Sequence, residues 1–220
     1  MIENFLKSSD YAKSLFKIID RNIEEIEKES LENNVPIVTR EVLNFMIFTA
    51  QGMKARNILE IGTATGYSGI FLGKIAAENG GSFTTIEIDP ERYGKAVENF
   101  KKADVFEKSR LILGDALEEI PKLGQSMEKN DKNMMDFIFI DASKGQYMKF
   151  FEMCYELLNK NGIIFIDNIM FRGLVTEEDK SIPKKYRTIV KRLKNFTEKL
   201  NSGYNFVLLP FGDGVGLVRK

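Results

Sequence analysis

Short apolar segments alternate with segments of helical periodicity along most of the chain. The apolar segments predict five strands, Asn57–Ile61, Ser82–Ile88, Arg110–Leu113, Asp136–Ile140 and Gly162–Ile166. Their side chains are apolar almost without interruption, which is typical of strands that are buried on both faces of a sheet. Helices between such strands are the connections that parallel pairing requires. The pattern therefore predicts an α/β fold around a mostly parallel sheet.

The end of the chain departs from this alternation. A helix is predicted from about Pro183 to Leu200, followed by two strand-like segments, Tyr204–Leu209 and Val215–Arg219. Only the turn-rich segment Pro210–Gly214 joins these two segments, and it is too short for a helical crossover. We therefore expect an antiparallel hairpin, which brings the sheet to seven strands.

Before the first strand, the spacing of apolar positions predicts two helices. The first covers about residues 10–33, and its apolar positions are Leu15, Ile18, Ile19, Ile23 and Ile26. The second begins after Thr39, a suitable N-cap, and carries Val42, Leu43, Phe45, Met46 and Phe48. We expect one domain over residues 1–220, with N-terminal helices at 1–54 and the α/β core at 55–220.

The composition removes several kinds of chemistry. The chain has 32 basic and 32 acidic residues, so no net field attracts nucleic acid to the whole molecule. It has no histidine, which excludes Ser-His triads and histidine-based zinc sites. Cys154 is the only cysteine, which excludes an intramolecular disulfide and fits a reducing compartment. Since no signal peptide or membrane span is predicted either, we expect a cytoplasmic protein.

A glycine-rich loop follows the first predicted strand. The strand runs through Glu60 into the segment Gly62–Gly69, which has the spacing G-x-x-x-G-x-x-G and leads into a helix. Glycines let the backbone approach a ligand closely, and the helix N-terminus offers unpaired N–H groups. Dinucleotide-binding loops have the spacing G-x-G-x-x-G instead. The acidic Glu60 beside the loop favours a cationic ligand that carries an amino acid over a pyrophosphate.

Acidic residues also follow each of the other predicted parallel strands. Glu87 closes the second strand, where a carboxylate can bind ribose hydroxyls, and Asp115 follows the third, near an adenine edge. Asp141 ends the fourth strand, and the pair Asp167 and Asn168 ends the fifth. Two carboxylates and an amide oxygen form a hard, oxygen-only set that suits Mg²⁺, Mn²⁺ or Ca²⁺.

The motifs EIGTATGYSG, TTIEIDPER, LILGDALEEIP, FIFIDASKGQY and FIDNIMFRG are similar to those of the metal-dependent O-methyltransferases of the catechol and caffeoyl-CoA type. The resemblance covers about Val35 to Lys220 and implies a Rossmann-like methyltransferase fold with S-adenosylmethionine and Mg²⁺ or Mn²⁺ as cofactors. It implies cofactor contacts for a set of residues along these motifs, Val38, Glu60, Gly62, Ser68, Glu87, Asp115, Ala116 and Asp141.

The same resemblance implies roles in chemistry and assembly. Asp141, Asp167 and Asn168 would bind the metal, and Lys144, together with Asp141, would be catalytic, with Lys144 accepting or stabilising the proton of the acceptor hydroxyl. Tyr147 either lines the pocket or packs in the core, whereas Cys154 is expected to pack. Relatives of this type often form homodimers, which we expect here, and the N-terminal helices could serve as the dimer contact or as a lid.

The acceptor is less constrained, because the site asks only for two neighbouring oxygens. Asp167–Val175 is similar to a segment of bacterial tRNA 5-hydroxyuridine methyltransferases, which make 5-methoxyuridine at the wobble position. Basic residues spaced along the last long helix, Lys184, Arg187, Lys191 and Lys194, with Arg172 nearby, could bind an RNA backbone. We therefore expect tRNA as the substrate, with a small catechol-like or acyl-CoA phenol as the alternative. A nicotinamide-dependent dehydrogenase or a non-catalytic nucleotide-binding protein is the remaining alternative.

Overall fold

A single seven-stranded sheet organises the computed structural model, which describes residues 7, 10–11, 13–16, 20–127 and 134–220. The strands are β1 (Asn57–Ile61), β2 (Ser82–Glu87), β3 (Ser109–Leu113), β4 (Met135–Ile140), β5 (Leu158–Ile166), β6 (Asn205–Leu209) and β7 (Val215–Arg219). Their spatial order is β3-β2-β1-β4-β5-β7-β6. The first five strands pair in parallel, and β7 is antiparallel to both β5 and β6. The predicted fold class and the C-terminal hairpin are confirmed.

Helices cover both faces of this sheet. They are α1 (Arg21–Glu32), α2 (Arg40–Gly52), α3 (Tyr67–Glu78), α4 (Pro90–Lys102), α5 (Ala116–Ser126), α6 (Tyr147–Leu157) and α7 (Arg187–Gly203). One apolar core lies under α1 to α4 and the other under α5 to α7. Ile58 belongs to the first core and its neighbour Leu59 to the second, because successive side chains of a strand point to opposite faces. Burial on both faces explains why the strands are apolar without alternation.

The prediction of one long helix over residues 10–33 is wrong. A separate helix, α1, begins at Arg21, because the backbone of Asp20 is extended (φ −82°, ψ 113°) and its carboxylate accepts a hydrogen bond from the Asn22 N–H at 3.0 Å. A capping carboxylate of this kind satisfies an N–H group that has no partner inside the helix. Ile23 and Ile26 are buried as predicted, but Leu15 is 62% exposed. Ile18 and Ile19 lie outside the described residues.

The other helix predictions hold with smaller corrections. Thr39 precedes α2 as predicted, although its side chain makes no capping hydrogen bond. Phe48 was expected on the apolar face of α2 but is 73% exposed. The last long helix begins at Arg187, after a 3₁₀ turn at Lys184–Tyr186, so Lys184 does not belong to it. In the part of the chain that the structure describes, every helix is too short or too polar to span a bilayer. The division at residue 54 and the homodimer stay predictions.

Candidate functional site

The carboxyl ends of the parallel strands meet along one edge of the sheet. The residue that follows each of β1, β3, β4 and β5 donates one further backbone hydrogen bond to the neighbouring strand. The bonds are Gly114 N–H to Glu87 O (2.9 Å), Gly62 N–H to Ile86 O (3.0 Å), Asp141 N–H to Ile61 O (2.9 Å) and Asp167 N–H to Ile140 O (3.1 Å). The strand register therefore brings the predicted acidic residues together, although they are far apart in the sequence.

A cavity of about 530 Å³ opens at this edge. Its wall contains eight of the predicted site residues: Val38, Gly62, Ser68, Glu87, Asp115, Ala116, Asp141 and Lys144. Val38 comes from the segment between α1 and α2, which closes one side of the cavity together with Pro36 and Ile37. The remaining wall residues belong to the ends of the parallel strands, to the loops that follow them and to the helices that these loops lead into, as expected for an open α/β sheet.

Gly62 is required where the loop after β1 passes under the neighbouring strand. Its φ of +99° lies in the region that residues with a side chain avoid. A Cβ built on Gly62 would lie 2.1 Å from the carbonyl oxygen of Asp141. The loop can therefore approach the end of β4 only with glycine at this position, and this approach brings Gly62 and Asp141 side by side in the cavity wall.

Glu87 holds the same loop from the other side. Its Oε2 accepts a hydrogen bond from the Ala64 N–H at 2.8 Å, and its Oε1 accepts one from the Asp89 N–H at 2.9 Å. Each carboxylate oxygen has a second lone pair, so both can accept a further hydrogen bond from a ligand. Glu87 is 5% exposed and lines the cavity, a position that suits binding of ribose hydroxyls.

The structure does not bring Glu60 to the cavity wall. Its side chain is fully buried beneath the loop, where it accepts hydrogen bonds from the hydroxyls of Ser68 (2.6 Å) and Thr85 (2.7 Å). Burial raises the pKa of Glu60 to about 8, against the opposing effect of these two hydroxyls. The carboxyl orients Ser68, which lies on the cavity wall, while the predicted contact of Glu60 with a cationic ligand stays a prediction.

Asp141, Lys144 and Asn168 meet at one end of the cavity. The Nζ of Lys144 lies 2.7 Å from Oδ1 of Asn168 and 3.3 Å from Oδ1 of Asp141. The side chain of Asp167 is buried beside them, and its Oδ1 accepts a hydrogen bond from the Asn168 N–H at 2.7 Å. Burial, followed by repulsion from Asp141, raises the pKa of Asp167 well above its ordinary value.

This donor set fits a hard divalent cation. Oxygens from the ends of β4 and β5 already converge on one positive centre, the Lys144 ammonium, and the buried Asp167 carboxylate would be stabilised by further positive charge. Among the described residues, no three Asp, Glu, Cys or His side chains form a group that could hold a metal by themselves. The candidate set is therefore two carboxylates with the Asn168 amide oxygen, which leaves positions for water or substrate.

Sequence reasoning missed Asp213, which lies in the turn between β6 and β7. Its Oδ1 accepts a hydrogen bond from the Arg172 N–H, and its carbonyl oxygen accepts one from the Met170 N–H at 2.9 Å. Partial burial raises the pKa of Asp213, and the charge of Lys144 opposes this rise. The hairpin thus anchors the loop that carries Asn168. An acidic residue between Gly212 and Gly214 was the available signal, but the pattern indicated only a turn.

Tyr147 and Cys154 are core residues. Tyr147 is 1% exposed, and its hydroxyl donates to the carbonyl oxygen of Asp167 at 2.9 Å, so it supports the loop that carries Asp167 and Asn168. Of the two roles considered for Tyr147, packing in the core is the one observed. Cys154 is fully buried in the apolar core, and burial raises the pKa of its thiol, which confirms its role in packing.

The predicted RNA-binding residues do not form one free basic stripe. Arg187 donates from Nε to the carbonyl oxygen of Ile182 (3.0 Å), and Lys194 donates to that of Glu177 (2.9 Å), so both hold the preceding loop in place. Lys184 and Lys191 are exposed, with Lys184 on the 3₁₀ turn before the helix. The side chain of Arg172 is exposed too, while its backbone is bound to Asp213.

Comparison with known proteins identifies relatives over nearly the whole chain. Residues 9–220 match the family model described as O-methyltransferase. A candidate caffeoyl-CoA O-methyltransferase of Arabidopsis thaliana is 34% identical over 191 residues, which cover 86% of this chain and 78% of that protein. The structure of a candidate caffeoyl-CoA O-methyltransferase from Staphylococcus aureus has a TM-score of 0.84 at 30% identity, covering 97% of this chain and 99% of that one. A methyltransferase of Podospora anserina, solved with S-adenosylhomocysteine, has a TM-score of 0.83 at 28% identity, covering 99% and 95%.

Proposed function

The chain belongs to the O-methyltransferase family, and on this premise we propose that it transfers a methyl group from S-adenosylmethionine to a phenolic hydroxyl with the help of a divalent cation. The observation that carries the proposal is the convergence of Asp141, Lys144 and Asn168 at one end of the cavity beneath the glycine loop. Family membership leaves the dehydrogenase and the non-catalytic nucleotide-binding alternatives without support.

The cofactor would occupy the cavity between the segment 36–38 and the strand ends. A relative at 28% identity binds S-adenosylhomocysteine in the same fold, which supports this assignment. The Glu87 carboxylate would accept hydrogen bonds from the ribose hydroxyls, and Asp115 and Ala116 would lie beside the adenine. Ser68, oriented by the Glu60 carboxyl, and Val38 would flank the methionine end.

Asp141, Asp167 and Asn168 would hold Mg²⁺ or Mn²⁺ beside this cofactor. A divalent ion there would favour the ionised form of the acceptor hydroxyl and fix its direction. The Nζ of Lys144 lies among these oxygens, and in its neutral amine form it would take up the hydroxyl proton. The acceptor oxygen would then form its bond to the methyl carbon as the carbon–sulfur bond of S-adenosylmethionine breaks, and the electron pair of that bond would stay on the sulfur of S-adenosylhomocysteine.

The acceptor we favour is a small phenol with two neighbouring oxygens, free or carried on an acyl thioester. The relative with 34% identity is a candidate caffeoyl-CoA O-methyltransferase, and so is a solved structure with 30% identity. The first expectation, a tRNA carrying 5-hydroxyuridine, has no support among these relatives. The contacts of Arg187 and Lys194 also weaken it, because these two side chains hold the neighbouring loop.

The direct test is transfer of a labelled methyl group, with Mg²⁺, to three acceptors: caffeoyl-CoA, a simple catechol and tRNA containing 5-hydroxyuridine. We expect labelling of a phenolic acceptor that is lost on addition of EDTA and restored by excess Mg²⁺. Labelling that persists in EDTA would contradict the metal site. Labelling of the tRNA alone would overturn the small-phenol assignment and restore the RNA interpretation, while leaving the proposed chemistry intact.

A further inference from the structure

We propose that Glu27 of helix α1 is a positioning residue for the cofactor, because its buried carboxylate ties together two walls of the cavity. The inference rests on the function proposed above and adds to it a residue that the cavity wall does not contain. One wall is the segment 36–38, which leads into α2. The other is the glycine loop, which leads into α3.

The carboxylate of Glu27 accepts hydrogen bonds from both sides. Arg40, at the start of α2, donates from Nε to Oε1 at 2.7 Å and from Nη2 to Oε2 at 2.5 Å. Tyr67, at the start of α3 and on the cavity wall, donates from its hydroxyl to Oε1 at 3.0 Å. Oε1 thus receives one hydrogen from Arg40, two positions after the segment 36–38, and one from Tyr67 on the other wall, so the carboxylate links the positions of the two walls.

A second contact of the same helix reaches the glycine loop itself. The Oγ of Ser30 lies 2.8 Å from Oγ1 of Thr65, and both side chains are buried. Ser30 also donates to the carbonyl oxygen of Ile26 at 2.7 Å. Since a serine hydroxyl has one hydrogen, Thr65 donates to Ser30 in this arrangement. Helix α1 therefore holds the loop at two points, Thr65 and Tyr67, which flank the left-handed Gly66.

The environment of Glu27 makes this coupling strong. The residue is 6% exposed, and hydrogen bonds between charged groups that are shielded from water are stronger than those between neutral groups. The Glu27 carboxylate holds the pKa of Arg40 above its ordinary value, chiefly through their hydrogen bonds, and burial raises the pKa of the Tyr67 hydroxyl. Its neighbours Glu24 and Glu25 are exposed on the same helix, so they provide controls of equal charge.

Calorimetric titration with S-adenosylhomocysteine tests the inference in the full chain. Glu27→Gln and Tyr67→Phe should each weaken binding about three- to tenfold, less than the full contribution of a charge-assisted hydrogen bond, because the link affects the ligand only through the position of the walls. The affinity of the double variant for S-adenosylhomocysteine should be about that of the single variant with the lower affinity, because both changes break the same link. Glu25→Gln should bind like the wild type. At saturating S-adenosylmethionine, kcat of Glu27→Gln should stay within about twofold of the wild type while KM for the cofactor rises.

Hydrogen exchange distinguishes a positioning role of Glu27 from a role in stability alone. In the wild type, S-adenosylhomocysteine should slow exchange of the amides of α1, although this helix does not line the cavity. In Glu27→Gln this protection should be lost while that of the glycine loop remains. If Glu27→Gln does not fold, Tyr67→Phe, which removes a single oxygen, still tests the link.

The two proposals fail in different ways. If the wild type does not bind S-adenosylhomocysteine, the proposed function is overturned and this inference with it. If the wild type binds, three results would overturn the inference alone: equal affinity of the wild type, Glu27→Gln and Tyr67→Phe, fully additive losses in the double variant, or exchange in α1 that the ligand does not change.

Discussion

The Nζ of Lys144 lies 2.7 Å from Oδ1 of Asn168, although the two residues are 24 positions apart in the sequence. Lys144 belongs to the turn after β4, and Asn168 to the loop after β5, where it adopts a left-handed backbone (φ +57°) that asparagine tolerates better than most residues. Parallel pairing of β4 with β5 brings the two loops together. A basic group is thereby fixed among the oxygens that we propose as metal ligands.

Replacing Lys144 with methionine should remove the group that accepts the proton. We expect kcat for a phenolic acceptor to fall by about 10²- to 10⁴-fold, the usual contribution of a positioned general base. Affinity for S-adenosylhomocysteine should change little. Lys149→Met is the matched control, because Lys149 is exposed on α6 and lies five positions further along the chain. Methyl transfer by Lys144→Met at the wild-type rate would rule out this role.

The variant Asp167→Asn should lose metal binding without a loss of stability. Because burial raises the pKa of Asp167, its ionised form is costly in the folded chain, so in EDTA at pH 8 the variant should unfold at an equal or higher temperature. With Mg²⁺, it should lose methyl transfer while still binding S-adenosylhomocysteine. Binding of Mn²⁺, followed by paramagnetic resonance, should be lost as well.

The exposed Asp179, whose side chain is 94% accessible, gives the control Asp179→Asn. This control should leave methyl transfer and Mn²⁺ binding unchanged. Tight Mn²⁺ binding by Asp167→Asn would contradict the assignment of Asp167 as a ligand.

The buried carboxyl of Glu60 should make stability depend on pH. Its pKa is raised from 4.5 to about 8 in the folded chain, so the folded state holds a proton that the unfolded state releases between these values. The favourable contribution is therefore complete below pH 4.5 and is lost as the pH rises toward 8. Over this range the free energy of unfolding should fall with a slope of up to about 1.4 kcal/mol per pH unit from this group.

The variant Glu60→Gln keeps the size of the side chain and removes its titration. Denaturant unfolding at several pH values, compared between wild type and variant, isolates the contribution of Glu60. We expect a flatter pH profile for the variant between pH 5 and 8. Parallel profiles would show that the carboxyl does not hold a proton in the folded chain.

Gly62→Ala should be far more damaging than Gly94→Ala. At Gly62 an added Cβ would lie 2.1 Å from the Asp141 carbonyl oxygen, in a backbone with φ +99°, so the loop must shift away from β4. We expect loss of binding to S-adenosylhomocysteine and a lower melting temperature. Gly94 lies inside α4 with nothing within 4 Å of an added Cβ, so alanine there should stabilise the protein by about 0.5–1 kcal/mol. Similar effects of the two substitutions on binding would contradict the proposed role of the loop.

The sequence by itself determined the order and type of the main elements. β1 and β7 have the predicted bounds, and the other predicted strands differ from the observed ones by one residue at an end, except that β5 begins four residues earlier. This succeeds because strands buried on both faces must be apolar throughout, and the turns between them need glycine, proline or polar residues. The same patterns located the glycine loop and the acidic residues at the strand ends, because each of them lies at the end of an apolar strand segment or just after it in the sequence.

Tertiary structure alone decided which of these residues face the cavity. Glu60 precedes the glycine loop in the sequence, but the alternation of side chains along β1 and the hydroxyls of Ser68 and Thr85 keep its side chain buried behind the cavity wall. Asp213 reaches the loop of Asn168 only because β7 lies between β5 and β6. Helix α1 begins after Asp20 and contacts the glycine loop through Ser30 and Glu27, whose partners are 35 and 40 positions away in the sequence. Periodicity reports which face of an element is apolar, whereas the partner of each buried polar group depends on how the elements pack.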